Sequence, residues 1–289
     1  MFLSKQTIYL GIVVFLLIVG LILGFGLYKN YKMHPLEVSF LDVGQGDAIL
    51  INYLQQYQIL IDSGSSGKKV LAELSGVMPF MDNKIEVIIV THPDRDHFAG
   101  FIDVLKKYEV GLVLDNGQDS DDEVWQEFQK LIVNKKIPKQ IIVEGSALRV
   151  QGAEGTKGFK FKFFNPDKIV SDKKEKNDSS VVVRLDYGEN SFLFTGDIGF
   201  EAEMDMIFDK ENLDVDWLKA GHHGSKYSGS DFFLARVTPE WSIISVGENS
   251  YGHPTEEALN RLRKVGSEIL RTDELGTITV RCENNCLVK

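Results

Sequence analysis

The chain opens on an unbroken apolar stretch and then settles into short alternations. Ile8 to Tyr28 (IYLGIVVFLLIVGLILGFGLY) contains no charged residue. As a helix it would extend roughly 32 Å at about 1.5 Å per residue, the depth of a bilayer's hydrocarbon core. It exceeds the apolar region of a secretory signal, and no small-x-small cleavage site follows it. The pattern therefore predicts a retained single-pass membrane anchor within residues 1–36. Lys5 on one side and Lys29 and Lys32 on the other nearly balance, so charge does not choose an orientation.

From residue 37 to 289, apolar runs of strand length alternate with turn residues and helix-period segments, which predicts one α/β domain. An approximate internal repeat runs through it. VSFLDVGQGDAILINYLQQYQILIDSG reads as paired strands closing on Asp62, and SVVVRLDYGENSFLFTGD as paired strands closing on Asp197. Each half adds a strand that ends in histidine, KIEVIIVTHPDRDH in the first and DVDWLKAGHHGS in the second. A helix-like segment follows each, FAGFIDVLKKY and SDFFLARV. Two similar halves would bring their strand ends to a common edge, the candidate active site. Asn116 to Lys139 reads as an acidic loop before an amphipathic helix, and Ser171 to Asp178 as a charged loop; both fit solvated surface.

The 43% hydrophobic fraction is enough for a sizeable core and excludes disorder. The formal net charge is −10, and the only charged residues before position 35 are the three lysines, so the remainder is more acidic still. Such a surface does not attract polyanions at long range, and a phosphate-bearing substrate would need a local cationic centre. The two cysteines, Cys282 and Cys286, would face each other across a hairpin within disulfide reach. A C-x₃-C metal site would want histidines that are missing nearby. A disulfide points to the extracytoplasmic side, and the expected localisation is a membrane-anchored domain outside the cell.

Only six histidines are present, and five of them, His92, His97, His222, His223 and His253, lie beside glycine, proline or aspartate in predicted strand-end loops. His92-Pro93-Asp94-Arg95-Asp96-His97 packs two imidazoles and two carboxylates into six positions, donors suited to Zn²⁺ or Mn²⁺. As a helix cap, Asp94 and Asp96 would merely accept backbone N–H bonds, which accounts for the aspartates and neither histidine. Residues 92 and 94 can face one position and 96 and 97 another, so one loop could serve two adjacent ions. Asp197, at the end of an apolar strand, must find partners, and one carboxylate can bridge two cations. Asp62, its counterpart, could bind metal, but is expected rather to accept the N–H of a ligand histidine or to pin the loop. Consecutive side chains diverge, so only one of His222 and His223 is expected to ligate and the other would reach substrate; His253, in a loop of turn residues after WSIISV, reads equally as a turn or cap residue or as a substrate contact.

In these motifs the sequence resembles the metallo-β-lactamase superfamily, specifically the hydrolase domain of ComEC-type competence proteins. They are Leu41-Asp-Val-Gly-Gln-Gly-Asp47, Ile61-Asp-Ser-Gly64, Thr91-His-Pro-Asp-Arg-Asp-His97, Phe194-Thr-Gly-Asp197, Gly221-His-His-Gly-Ser225, Tyr251-Gly-His-Pro254 and Arg271-Thr-Asp273. The match spans about residues 37 to 281. It implies a four-layered αββα sandwich with two divalent metal ions (Zn²⁺ or Mn²⁺) at one edge. One ion would take His92 and Asp94, the other Asp96, His97 and a histidine from the 222/223 pair, with Asp197 bridging. Asp94 replaces the histidine usual in the superfamily, and no histidine lies between 97 and 222, where Asn177-Asp-Ser-Ser180 stands instead. Ser180 or water would complete the first position, whose oxygen-rich ligands suit Mn²⁺ or Mg²⁺. The implied activity is phosphodiester hydrolysis, with DNA as substrate in an uptake role, and Asp96, Asp197 and His253 in catalytic parts. A cell-wall or small phosphodiester, or a tethered interaction module with a degenerate site, are the alternatives.

Overall fold

The computed structural model describes residues 5–30, 35–152, 157–170, 177–208 and 212–289. Within the N-terminal helix, side chains are described for residue 6 and residues 9–22. His34 and residues 171–176 of the charged loop lie outside the described residues. Residues 1–34 and 35–289 form two units. The first contains helix α1 (Lys5–Asn30), with Leu10, Phe15 and Leu21 exposed. Among the described residues no helix is long and apolar enough to cross a membrane. The membrane anchor expected within residues 1–36 is thus not supported.

In the second unit the chain builds one sheet, moves to another, and returns. Strands β1 (Leu36–Phe40), β2 (Ile49–Tyr53), β3 (Tyr57–Ile61), β4 (Lys84–Ile89), β5 (Glu109–Asp115) and β6 (Lys139–Ile141) open the first sheet. The second comprises β7 (Ala147–Val150), β8 (Phe159–Asn165), β9 (Val182–Tyr187), β10 (Asn190–Phe194), β11 (Trp217–Lys219), β12 (Trp241–Ile244) and β13 (Glu268–Arg271). Strands β14 (Ile278–Cys282) and β15 (Cys286–Val288) then extend the first, giving the orders β15-β14-β1-β2-β3-β4-β5-β6 and β13-β12-β11-β10-β9-β8-β7. Cys282 and Cys286 are register partners across the last hairpin and are disulfide-bonded.

The internal repeat is visible in the pairing. In the first sheet β2 and β3 are antiparallel and β3 and β4 parallel; in the second β9 and β10 are antiparallel and β10 and β11 parallel. Each aspartate-terminated hairpin is therefore followed by a parallel strand that ends near histidine, and the carboxyl ends of the parallel strands are where such sheets present ligands.

Three apolar clusters set the layers. Between the sheets, Phe40, Ile51, Ile61 and Ile89 meet Phe161, Val183, Phe194 and Trp217. The outer face of the first sheet (Leu50, Leu60, Ile88) packs on α2 (Gly67–Val77), α4 (Phe101–Lys107) and α5 (Glu123–Asn134) through Leu74, Leu105 and Phe128; short α3 (Arg95–Phe98) precedes α4. The outer face of the second (Leu193, Leu218, Ile244) packs on α6 (Phe200–Phe208), α7 (Asp231–Val237) and α8 (Glu256–Lys264) through Met206, Leu234 and Leu262. A last turn of helix, α9 (Thr272–Leu275), precedes β14. Strands covered on both faces lose alternation, so β2 is buried throughout.

One buried carboxyl makes this packing pH-sensitive. Glu203 of α6 is 1% exposed and accepts the backbone N–H groups of Gly229 and, at 2.8 Å, Ser230, ahead of α7. Burial outweighs these bonds and pushes its pKa up to about 7. The folded state then holds a proton that the unfolded chain releases near 4.5, so Glu203 supports stability at acid pH and loses that contribution as pH rises through about 7. Between pH 5 and 8 this group alone is expected to lower unfolding free energy by about 2 to 3 kcal/mol. Urea titrations at several pH values should show that slope, and its persistence in Glu203→Gln would refute the assignment.

Candidate metal centre

The edge expected from the strand ends is occupied by a buried cluster of imidazoles and carboxylates. His92 follows β4 and His97 lies in α3; Asp197 follows β10, and His222 and His223 follow β11. Asp94 is at the N-cap position of α3 without a side-chain capping bond, so it is not spent on the helix end. The LDVGQGD loop and the IDSG turn grip this segment, Asp47 N–H donating to the Asp96 carbonyl at 3.1 Å and Ser63 N–H to that of His97 at 2.6 Å. A Cβ on Gly46 would stand 2.2 Å from the Asp96 oxygen, which is why the loop needs glycine there.

Local backbone conformation aims the second half. His222 and His223 take left-handed dihedrals (φ 48° and 53°), as does Asp62 (φ 56°). Each costs a non-glycine residue roughly 1 to 2 kcal/mol, strain of the kind held at functional sites. The consequence is a division of labour. His223 turns inward, buried, with Nε2 3.4 Å from both Asp96 Oδ2 and Asp197 Oδ2. His222 remains 29% exposed, its Nε2 3.9 Å from Asp197 Oδ2 and its ring 5.5 Å from that of His253.

Each inward histidine is held by its other nitrogen. His97 Nδ1–H donates to Asp62 Oδ2 at 2.8 Å, and His223 Nδ1–H to the Ser245 carbonyl at 2.9 Å, neither acceptor having a proton to give. Thr91 Oγ1–H donates to Asp62 Oδ2 at 2.6 Å, so Thr91 Oγ1 is the acceptor for His92 Nδ1–H at 3.0 Å; Ser180 Oγ lies 3.2 Å from that nitrogen. Ser180 Oγ also accepts the Asp197 N–H at 3.2 Å, close to a Gly196 (φ +51°) whose Cβ would strike Ser180. All three Nδ1 atoms are thus occupied, which leaves the three Nε2 atoms for a cation, one that at His97 and His223 would replace a proton.

These atoms fit a divalent metal. The Nε2 atoms of His92, His97 and His223 are buried and have no hydrogen-bond partner among the described residues. Ligand atoms of His92, His97 and Asp197, and of Asp96, His97 and His223, lie within 4.8 Å of one another. Asp94 Oδ2 is 3.8 Å from His92 Nε2. Electrostatics agree. Burial works against a charged imidazole, but Asp197 and Asp62 hold His97, and Asp197 and Asp47 hold His223, well above the usual histidine range. His92, desolvated and beside His97, falls to about 4. The cavity draws positive charge inward, and metal entering it would displace protons.

Two members of the cluster were not singled out individually from sequence. Asp47 lies 3.4 Å from His223 Nδ1, and Lys219 at the end of β11 is 1% exposed, with Nζ paired to Asp47, donating to the Gly196 carbonyl at 3.0 Å and standing 3.6 Å from Asp197 Oδ1. A lysine between apolar residues in WLKAG is the available signal, since a charge in a buried strand requires a partner. His253 is set back from the cluster, half-buried beside His222, and among the described residues its Nδ1 has no hydrogen-bond partner.

The sequence matches the metallo-beta-lactamase superfamily over residues 41–248. It is 31% identical over 275 residues to ComE operon protein 3 of Bacillus subtilis (strain 168), covering 86% of this chain and 33% of that protein. It is also 31% identical over 259 residues to Recombination protein 2 of Haemophilus influenzae, covering 88% and 30%. The chain therefore spans about a third of the length of these curated relatives. Its fold is similar to the crystal structure of the metallo-beta-lactamase fold protein YhfI from Bacillus subtilis, with a TM-score of 0.54 and 16% identity over 84% of this chain and 99% of that one. Sequence match, paired sheets and histidine–aspartate edge agree, and the chain belongs to the metallo-β-lactamase superfamily, related to the ComEC-type competence proteins.

Proposed function

We propose that this protein is a metal-dependent phosphodiesterase acting on DNA. The observation that carries the reading is the convergence of three buried, unpartnered imidazole nitrogens on the carboxylates of Asp96 and Asp197. His92, Asp94 and Asp197 would hold one divalent ion, and Asp96, His97 and His223, sharing Asp197, a second, either Zn²⁺ or Mn²⁺. Such ions lower the pKa of water to about 7 to 9 and neutralise charge on a phosphodiester.

The chain's own groups do the rest. Asp62, the Ser245 carbonyl and Thr91 fix three rings so that no reorganisation is needed during reaction. Asp96 or Asp197 orients the attacking water. His222, partly exposed, and His253 face the open side, where they can contact phosphate oxygens or give a proton to the leaving oxygen. DNA as substrate draws on relatives named for recombination and for competence. The disulfide suits an oxidising compartment, in keeping with DNA met outside the cytoplasm.

The test is to assay the full chain with Mn²⁺ or Zn²⁺ against single-stranded DNA, duplex DNA and bis-(4-nitrophenyl) phosphate, before and after chelation. DNA cleavage abolished by chelator and restored by metal is expected. Cleavage of the small diester alone would replace DNA with a small or cell-wall phosphodiester, and inactivity on all three would sink the reading. Free thiols at 282 and 286 in protein isolated from its cell would overturn the compartment.

A further inference from the structure

The loop that presents His253 also presents an exposed aromatic ring. Tyr251 is 73% exposed and lies against His253 with centroids 5.8 Å apart and planes 28° from parallel. His253 in turn stands 5.5 Å from His222, whose Nε2 is 3.9 Å from Asp197 Oδ2. Three rings therefore lead in sequence from the buried carboxylates to solvent.

The loop is fixed rather than slack. Asn249 accepts the N–H groups of Tyr251 (3.0 Å) and His253 (3.1 Å) on Oδ1, and donates Nδ2–H to the carbonyls of Gly247 (2.9 Å) and His253 (2.8 Å). Gly247 packs backbone to backbone on the Gly44–Gln45 turn, where a Cβ would stand 2.4 Å from Gly44 C. A single exposed tyrosine on a surface needs no explanation. One whose loop is pinned at four points, next to rings that reach the metal centre, is pre-organised to receive something flat.

Resting on the phosphodiesterase reading above, we propose that Tyr251 is a stacking platform for a nucleobase adjoining the scissile phosphate. Stacking on an aromatic face is tolerant of sequence and needs no cation, which matters in a chain of net charge −10. It also requires a base free of its partner, so the platform selects single strands or frayed ends over intact duplex, and over diesters of sugars or polyols.

The experiment uses the full chain, Mn²⁺ and two fluorescein-labelled single-stranded phosphorothioate oligonucleotides, one with ordinary bases and one with abasic residues, followed by anisotropy at low salt. Wild type should bind the base-bearing strand roughly 10- to 100-fold tighter than the abasic one. Tyr251→Leu should lose that difference and bind both as wild type binds the abasic strand, while Tyr251→Phe keeps it. Equal affinity of wild type for both strands, or an undiminished preference in Tyr251→Leu, overturns the platform. Cleavage of an ordinary phosphodiester oligonucleotide is read separately. Base preference without cleavage would leave the platform standing and remove the phosphodiesterase reading, and cleavage without base preference would do the reverse.

Discussion

Lys219→Met is expected to destabilise the fold by about 3 to 5 kcal/mol, the usual cost of removing one partner from a buried ion pair. The ammonium is enclosed, paired with Asp47, bonded to the Gly196 carbonyl and adjacent to Asp197. Burial alone would drive the Asp47 carboxyl upward, yet Lys219, then His223 and His97, hold it below the usual carboxylate range. Without Lys219 that carboxylate is left desolvated with its principal counterion gone. Combining Lys219→Met with Asp47→Asn should recover much of the loss, because the penalty is for an unpaired charge and not for the missing pair. Urea unfolding of the metal-free protein gives the four corners of the cycle. A loss under about 1 kcal/mol in the single variant, or a double variant as unstable as the sum of both singles, would show that Lys219 is not the counterion that burial implies.

That pair also marks the boundary of what could be read from sequence. The loop from His92 to His97 was legible because four ligand-type side chains in six positions have no economical structural explanation, and Asp62 because its place in the repeat matched that of Asp197. The expected role of Asp62, accepting a histidine N–H, is the bond seen to His97 Nδ1. The choice between His222 and His223 was not legible. Both dihedrals are left-handed, and which ring is carried inward depends on the Ser245 carbonyl of the next strand, a tertiary contact. Lys219 was hidden for the same reason, since its partners are 172 and 22 positions away in sequence: the parallel pairing of β10 with β11 brings Asp197 near, and Asp47 comes from the loop between β1 and β2 of the other sheet. The layers were readable in outline from alternating runs, but the change from antiparallel to parallel pairing at Asp62 and Asp197 is a property of the sheets. The apolar N-terminal run was read as an anchor from its length, its lack of charge and the missing cleavage site, but among the described residues no helix is long and apolar enough to cross a membrane.

The absence of a histidine between 97 and 222 places unusual weight on one carboxylate. In that stretch Ser180 contributes a hydroxyl that touches His92 Nδ1 and accepts the Asp197 N–H, so it orients ligands on both sides instead of replacing the missing imidazole. In the ligand assignment proposed above, Asp197 would be the group common to both sets. Its Oδ2 faces His97 Nε2 at 3.2 Å, His223 Nε2 at 3.4 Å and His222 Nε2 at 3.9 Å, while Oδ1 is turned toward Lys219 at 3.6 Å. Lys219 thereby divides the two oxygens, reserving Oδ2 for the histidine side.

Asp197→Asn, nearly isosteric but uncharged, is accordingly expected to reduce kcat/KM by about 10³-fold or more, equivalent to roughly 4 kcal/mol of transition-state stabilisation. Metal content should fall with it, because an amide oxygen is a poor substitute for a shared anion among imidazoles whose charge Asp197 balances. Asp96→Ala offers the contrast. Asp96 joins only the set with His97 and His223, so that variant should lose one ion and keep the other. Metal analysis after dialysis against limiting Mn²⁺ or Zn²⁺, alongside rates on bis-(4-nitrophenyl) phosphate, separates the two. Far-ultraviolet circular dichroism matching wild type would show that neither change acts through unfolding. An Asp197→Asn protein retaining the full complement of ions, or more than a tenth of wild-type kcat/KM, would mean that the two ligand sets do not share this carboxylate.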